Sequence, residues 1–354
     1  MIIQDKVKDF IIQNKSDGVC FFSELNRFWY TNFHSSLGFL FVNKLGKSIL
    51  LVDGRYFESA KISASVDKVV LYSDKLDIHF QNIMNELQIS KLIVEKDYLS
   101  LKDYLFLQSF IASDLILPLS TSQLRIEKED YEIECLKKAA DIVSLTIKQI
   151  ISENIVGISE MQLATKIDIY MRELGASANS FSTIVASGIN AAFPHHTPSD
   201  KIIADGEFVI LDIGCIYKNY CSDITRTIIA GNKNNANPKL LEIYNIVLEA
   251  QEKAIASAKV GVEYKVLDDV ARAVIANYGY EKYFNHATGH GVGLEVHELP
   301  NVSKFSLQKI TKNHVFTIEP GIYVPGLGGI RIEDTIWFNG EEPIVLTRLA
   351  TKKI

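Results

Sequence analysis

Two segments of this chain repeat each other. GISEMQLATKIDIYMRELG runs from Gly157 to Gly175 and GVEYKVLDDVARAVIANYG from Gly261 to Gly279, equal in length and set 104 residues apart. Each reads as a helix between glycines, and in the first Ser159 and Gln162 have capping-box spacing while Gly175 supplies the stop. A longer helical stretch precedes each, the first over Tyr131 to Ser152. An apolar strand follows each and ends in matching grammar: Leu211-Asp212-Ile213-Gly214, then Ile318-Glu319-Pro320-Gly321. Return strands carry Asp223-Ile224-Thr225 and Glu333-Asp334-Thr335. The first acids lie 107 residues apart and the second 110. Such a repeat predicts two helix-pair-plus-hairpin halves, related by a pseudo-twofold, with both acid pairs at the shared centre.

Strand alternation says why the acids should meet. Asp212 and Gly214 share one face of FVILDIG, while Leu211 and Ile213 take the other. Asp223, Thr225 and Thr227 share a face of the return strand, and Tyr217-Lys218-Asn219 is the polar turn between the two. The second hairpin aims Glu319 and Glu333 in the same way and adds Thr317, Arg331 and Thr335 to that face. For any one acid the competing reading is a solvated turn acid, or one paired with Arg226 or Arg331. Four in duplicate beside apolar strands are different, because unpaired carboxylates converging in a core are prohibitively costly. Two divalent cations resolve that cost and activate a shared water.

HATGHGVGLEVHE supplies nitrogen. His290 is read as a metal ligand, His297 as a hydrogen-bond donor to substrate, and His286 as structural. The glycines at 289, 291 and 293 are expected to let backbone approach the site. Pro194-His195-His196-Thr197 lies in a turn-rich loop, His195 being 102 residues before His297, which suggests that His195 faces the site. One of His195 and His196 is then a bystander, and His34, His79 and His314 are ordinary.

The rest of the chain bounds the answer. Residues 1–123 read as an α/β unit: an amphipathic helix in MIIQDKVKDFII, strands in LGFLFVN, KSILLVDG and SKLIVEKD, and a helix in FQNIMNELQI. The polar stretch LSTSQLRIEKE marks a boundary near residue 124, so the second domain spans 124–354. A net charge of -6 argues against nucleic acid as a partner. No apolar run approaches a membrane span, and the N-terminus lacks a leader pattern, so a cytoplasmic protein is expected. Cys20, Cys135, Cys215 and Cys221 form no C-x-x-C pair and read as reduced thiols, a Cys215–Cys221 bridge being the alternative.

LDIGCIYKNYCSDITRT, TGHGVGLEVHE, TIEPGIYVPGLGG and GIRIEDT together resemble the signatures of the pita-bread metallopeptidases, the family of prolidase, aminopeptidase P, methionine aminopeptidase and creatinase. ILLVDGRYFESA is similar to the creatinase-type N-terminal domain of the proline-specific branch, and LRIEKEDYEIECLKKAADI to the usual opening of its catalytic domain. The resemblance covers essentially the whole length and implies an α/β (α+β) chain with those two domains. It also implies a site. Asp212 would chelate one metal, Asp223 and Glu333 would bridge both, and His290 and Glu319 would bind the second. Glu319 would also shuttle the proton of the attacking hydroxide, His195 and His297 would bind substrate and stabilise the transition state, and Thr225 and Arg331 would orient the bridging acids. Manganese is the expected ion, with cobalt or zinc as alternatives; oxygen ligands with a single His suit manganese. Peptides with proline second would be the substrates and a homodimer the assembly.

Aminopeptidase P and prolidase differ in what they must hold, prolidase needing a partner for the proline carboxylate, for which Arg331 or His195 is available. The aminopeptidase is preferred. Creatinase fits less well, and the N-terminal domain disfavours methionine aminopeptidase. A non-catalytic peptide- or histone-binding member would have lost ligands, and here all are retained. A purely structural cation site is the remaining alternative.

Overall fold

GFLFVN, SILLV and LIVE, which are apolar at nearly every position, become strands buried along their whole length, as expected where both faces of a sheet are covered. The structure is a computed structural model describing residues 3–354. Chain contacts divide it into two units, Met1–Arg125 and Ile126–Ile354. The first holds a mixed six-stranded sheet, ordered Lys68–Leu71, Ser48–Val52, Gly38–Asn43, Gly18–Phe21, Leu92–Glu95, Ile116–Leu119. The expected first helix is Ile3–Gln13; Met1 and Ile2 lie outside the described residues. The helix expected to begin at Phe80 begins earlier, spanning Leu76–Glu86. Its Phe80 is buried edge-on against Phe39, Phe41, Phe106 and Phe110, so tertiary packing sets this helix's position more than its caps do.

The second unit is built twice. Helices Asp130–Ile151 and Glu160–Glu173 share one core with strands Phe208–Ile213 and Ile224–Ile229, and helices Pro238–Ser257 and Tyr264–Asn277 share another with His314–Ile318 and Asp334–Phe338. The Ser159–Gln162 capping box is formed. The Gly157, Gly175, Gly261 and Gly279 residues all have positive φ, and open space surrounds the place a Cβ would take, so conformation rather than packing demands glycine there. Backbone contacts repeat as well. Gly157 donates to the Ile203 carbonyl as Gly261 does to that of Ile310, and Glu160 donates to Lys201 as Tyr264 does to Gln308. Among the described residues no helix is long and apolar enough to cross a membrane.

The two halves meet edge to edge. The Glu333 amide donates to the Thr225 carbonyl at 3.1 Å, Thr227 exchanges hydrogen bonds with the Arg331 backbone, and the Thr335 hydroxyl donates to the Asp223 carbonyl at 2.7 Å. This junction draws the acids of both halves together. Its register corrects one detail of the repeat. Asp212 stands opposite Thr225, whereas the residue opposite Thr335 is Thr317. Glu319 therefore corresponds to Gly214, not to Asp212. The slip is two residues, one strand period, so both acids still face the same side. An acid at 214 has no room: a Cβ there would lie 2.1 Å from Ser180 Oγ and 2.4 Å from the Ser222 carbonyl oxygen.

Lys218 and Asn219 take positive φ in the tight turn pairing Tyr217 with Tyr220. Cys221 pairs with Ile216, which puts Cys215 on the opposite face, and all four cysteines are free.

Candidate metal centre

Strand ends deliver five side chains to one spot. Asp212 lies near the end of its strand, Asp223 just before Ile224–Ile229, Glu319 just after His314–Ile318, Glu333 just before Asp334–Phe338, and His290 within Gly289–Gly291. Ligand atoms of Asp223, His290 and Glu333 lie within 4.8 Å of one another. His290 Nε2 is 3.6 Å from Asp223 Oδ2 and 3.4 Å from Glu319 Oε1. Burial, then the neighbouring acids, push Asp223 and Glu333 well above the carboxylate range. Burial pushes Glu319 up to about 8, against the opposing pull of Arg331.

Two observations fit this donor set to divalent cations. Asp212 Oδ1, Asp223 Oδ1 and Glu333 Oε1 are buried with no hydrogen-bond partner, though such atoms are rarely left bare. His290 Nδ1 lies 3.1 Å from the Gly291 carbonyl, an acceptor only, so Nδ1 carries the proton. Its Nε2 then turns a lone pair on carboxylate oxygens. Burial, then His297, brings His290 down to about 4, so the ring is neutral near pH 7. A lone pair beside several carboxyl oxygens is the donor set of a cation, which would let these acids ionise despite their burial.

Arg331 braces the acids. Nη2 donates to Asp212 Oδ2 at 2.6 Å and Nε to Thr225 Oγ1 at 3.1 Å, while the Thr225 hydroxyl donates to Glu333 Oε2 at 2.8 Å. Nη1 reaches the Tyr323 hydroxyl at 2.8 Å and the Pro194 carbonyl at 3.3 Å. Tyr323 also meets His286 Nε2 at 3.0 Å. Tyr323 was not foreseen, and His286, expected only to support the fold, lines the cavity with it.

The cavity is about 430 Å³, with Phe181, Ile184, Pro194 and Pro198 among its apolar walls. His195 and His297 both line it, and the His290 and His297 rings are edge to face at 4.2 Å. Burial lowers the pKa of His297. His196 lines the cavity too, and its Nε2 bonds Glu160 at 2.8 Å. Glu160 was missed because nothing near it in the chain is a partner. Glycines 289 and 291 turn out to serve strand packing: a Cβ would lie 2.0 Å from the Thr317 carbonyl oxygen or 2.2 Å from that of Leu299. Gly293 is crowded by the Glu298 side chain.

Comparison with known proteins agrees with this geometry. Residues 134–339 match metallopeptidase family M24, and residues 4–128 match the creatinase/prolidase N-terminal domain. The chain is similar to an Xaa-Pro dipeptidase from Bacillus anthracis, 37% identical with TM-score 0.93, over 99% of this chain and 98% of that one. It is similar to a prolidase from Pyrococcus horikoshii OT3, 36% identical with TM-score 0.89, over 99% of each. An X-Pro aminopeptidase from Thermotoga maritima MSB8 is 32% identical with TM-score 0.87, over 96% of this chain and 97% of that one.

Proposed function

Because the chain belongs to metallopeptidase family M24 and has its pita-bread fold, we propose that it is an Xaa-Pro aminopeptidase, releasing the first residue from peptides with proline second. Asp212, Asp223, His290, Glu319 and Glu333 would hold two divalent ions, manganese suiting the donors. When bound, the ions supply Lewis acidity, polarising the scissile carbonyl and making a water acidic enough to attack near neutral pH.

The protein's own groups do the rest. Glu319 takes the proton of the attacking water and returns it to the proline nitrogen as the C–N bond breaks. His297, neutral near pH 7 because burial depresses it, donates an N–H to the developing oxyanion. Phe181, Ile184, Pro194 and Pro198 give the pyrrolidine ring an apolar wall, and His195 bonds the peptide.

One observation favours the aminopeptidase. Among the described residues lining the cavity, Arg331 is the one Lys or Arg, and four of its five N–H donors bond Asp212, Thr225, Tyr323 and Pro194. The carboxylate of an Xaa-Pro dipeptide would have to compete with Asp212 for this one cation, whereas a longer peptide presents a neutral amide there. The dipeptidase reading draws on the likeness to the Bacillus and Pyrococcus enzymes and would assign the carboxylate to protonated His195. Incubating the manganese-loaded protein with an Xaa-Pro dipeptide and an Xaa-Pro-Yaa tripeptide separates them. Release of the first residue from the tripeptide is expected; cleavage of the dipeptide alone overturns the aminopeptidase, and cleavage of neither overturns proline specificity.

A further inference from the structure

Glu160 occupies the first turn of the helix Glu160–Glu173, with no solvent exposure. At the equivalent point of the second half stands Tyr264, equally buried. The backbones of the two bind equivalent partners, Lys201 and Gln308. Their side chains do different things. Tyr264 packs on Phe316 and bonds His314 Nδ1 at 2.8 Å, inside its core. Glu160 is a carboxylate, and its side-chain hydrogen bonds run to a single segment, residues 187–199.

Oε1 accepts from the Ser187 amide and hydroxyl, both at 2.8 Å, and from Asn190 Nδ2 at 3.1 Å. Oε2 accepts from His196 Nε2 at 2.8 Å, and from the Ser199 hydroxyl at 2.7 Å and amide at 3.1 Å. The carboxylate is therefore a post to which both ends and the middle of the segment are tied. Between the ties lie Pro194 and His195, which line the cavity. Two further contacts fix the same segment from the other side. Arg331 holds the Pro194 carbonyl. Gly329 lies so close to the Ala191 carbonyl oxygen that a Cβ would come within 2.0 Å of it.

We propose that Glu160 is the positioning residue of the substrate wall: through Ser187, Asn190, His196 and Ser199 its carboxylate sets where His195 stands in the cavity. His196 is thus a tie: of the two adjacent histidines that line the cavity, it is the one bonded to Glu160. A carboxylate suits the task because its two oxygens accept from all these donors at once, whereas an amide would confront them with hydrogens. The inference rests on the reading of His195 as a substrate contact.

The test is a double-mutant cycle of Glu160→Gln with His195→Ala, read as kcat/KM on an Xaa-Pro-Yaa tripeptide, together with amide hydrogen exchange over 187–199 and manganese titration by calorimetry. Glu160→Gln is expected to lower kcat/KM by about tenfold alone and to cost almost nothing further once His195 is alanine. Exchange over 187–199 should rise while manganese affinity stays within about twofold. Equal losses in both backgrounds, or unchanged exchange, would overturn the proposal. Should Glu160→Gln fail to fold, His196→Ala removes one tie from the loop side and must show the same non-additivity. A wild-type protein inert on the tripeptide whose Glu160→Gln variant still loosens 187–199 would place the failure in the peptidase reading and leave the tether standing.

Discussion

His290 Nε2 lies 3.4 Å from Oε1 of Glu319, and its Nδ1 proton is committed to the Gly291 carbonyl, so what it turns toward the carboxylate is a lone pair. Without a cation the buried acids around it must hold protons instead. Manganese added to metal-depleted protein should raise the melting temperature, by the equivalent of about 2.7 kcal/mol once the free ion exceeds its Kd a hundredfold. In chelator, Asp223→Asn should melt above the wild type, because one of the repelling buried acids is gone, and it should lose the manganese response. Scanning calorimetry with and without manganese decides it; a wild type indifferent to the ion contradicts the metal centre.

Thr225 stands between Arg331 and Glu333, accepting from one and donating to the other. Thr225→Val keeps the shape and removes the hydroxyl, leaving Glu333 Oε2 without this donor. The loss should be about 1–3 kcal/mol of stability and about tenfold in manganese affinity. Urea unfolding and calorimetric titration measure the two effects separately; an unchanged affinity would show that the hydroxyl does not orient Glu333.

Glu160 also predicts a pH dependence. Although burial favours its neutral form, hydrogen bonds from Ser199, His196 and Ser187 bring its carboxyl down to about 2. A group depressed on folding stabilises the folded state above its unfolded pKa, near 4.5, and loses that contribution as pH falls toward 2. Amide protection across 187–199 should therefore fall between those limits, and Glu160→Gln should flatten that part of the profile. A segment equally protected at pH 5 and pH 2.5 would count against the tie.

Arg226 and Asp334 form a pair with essentially no solvent exposure, 2.7 Å apart, and Arg226 also holds the Glu333 and Ala350 carbonyls. Lys352, Thr347 and Gln251 complete the shell of Asp334. Arg226→Ala would leave a buried carboxylate short of its main partner, at a cost of about 3–5 kcal/mol. Replacing both partners, as Arg226→Met with Asp334→Leu, should recover much of that loss. Denaturant midpoints of the single and double variants test this; a double variant no more stable than Arg226→Ala would refute the account.

Much of the grouping of acids at the candidate metal centre was legible because its signals are local or periodic. Alternation put Asp212 and Asp223 on faces that meet, and the duplicated helix and acid grammar predicted that Glu319 and Glu333 would join them. The register slip escaped notice for a physical reason: a strand's side chains repeat every two residues, so Glu319 matched to Asp212 instead of Gly214 leaves every face unchanged. Glycines 289, 291 and 293 left open which neighbour each makes room for. A glycine reports that something comes close, not what.

From the sequence alone followed the doubled architecture, the helix stops at Gly175 and Gly279, and the acids and histidine that gather between the halves, since each depends on spacing within one element or on the repeat itself. Only the tertiary structure decided that His196 binds Glu160, that Tyr323 bridges Arg331 and His286, and that the cavity's guanidinium bonds Asp212, Thr225 and Pro194 besides. Those contacts join residues far apart in the chain, Glu160 to His196 across 36 positions and Arg331 to Asp212 across 119. No local periodicity encodes such pairs; they form because a buried charge must find its partners wherever the fold brings them.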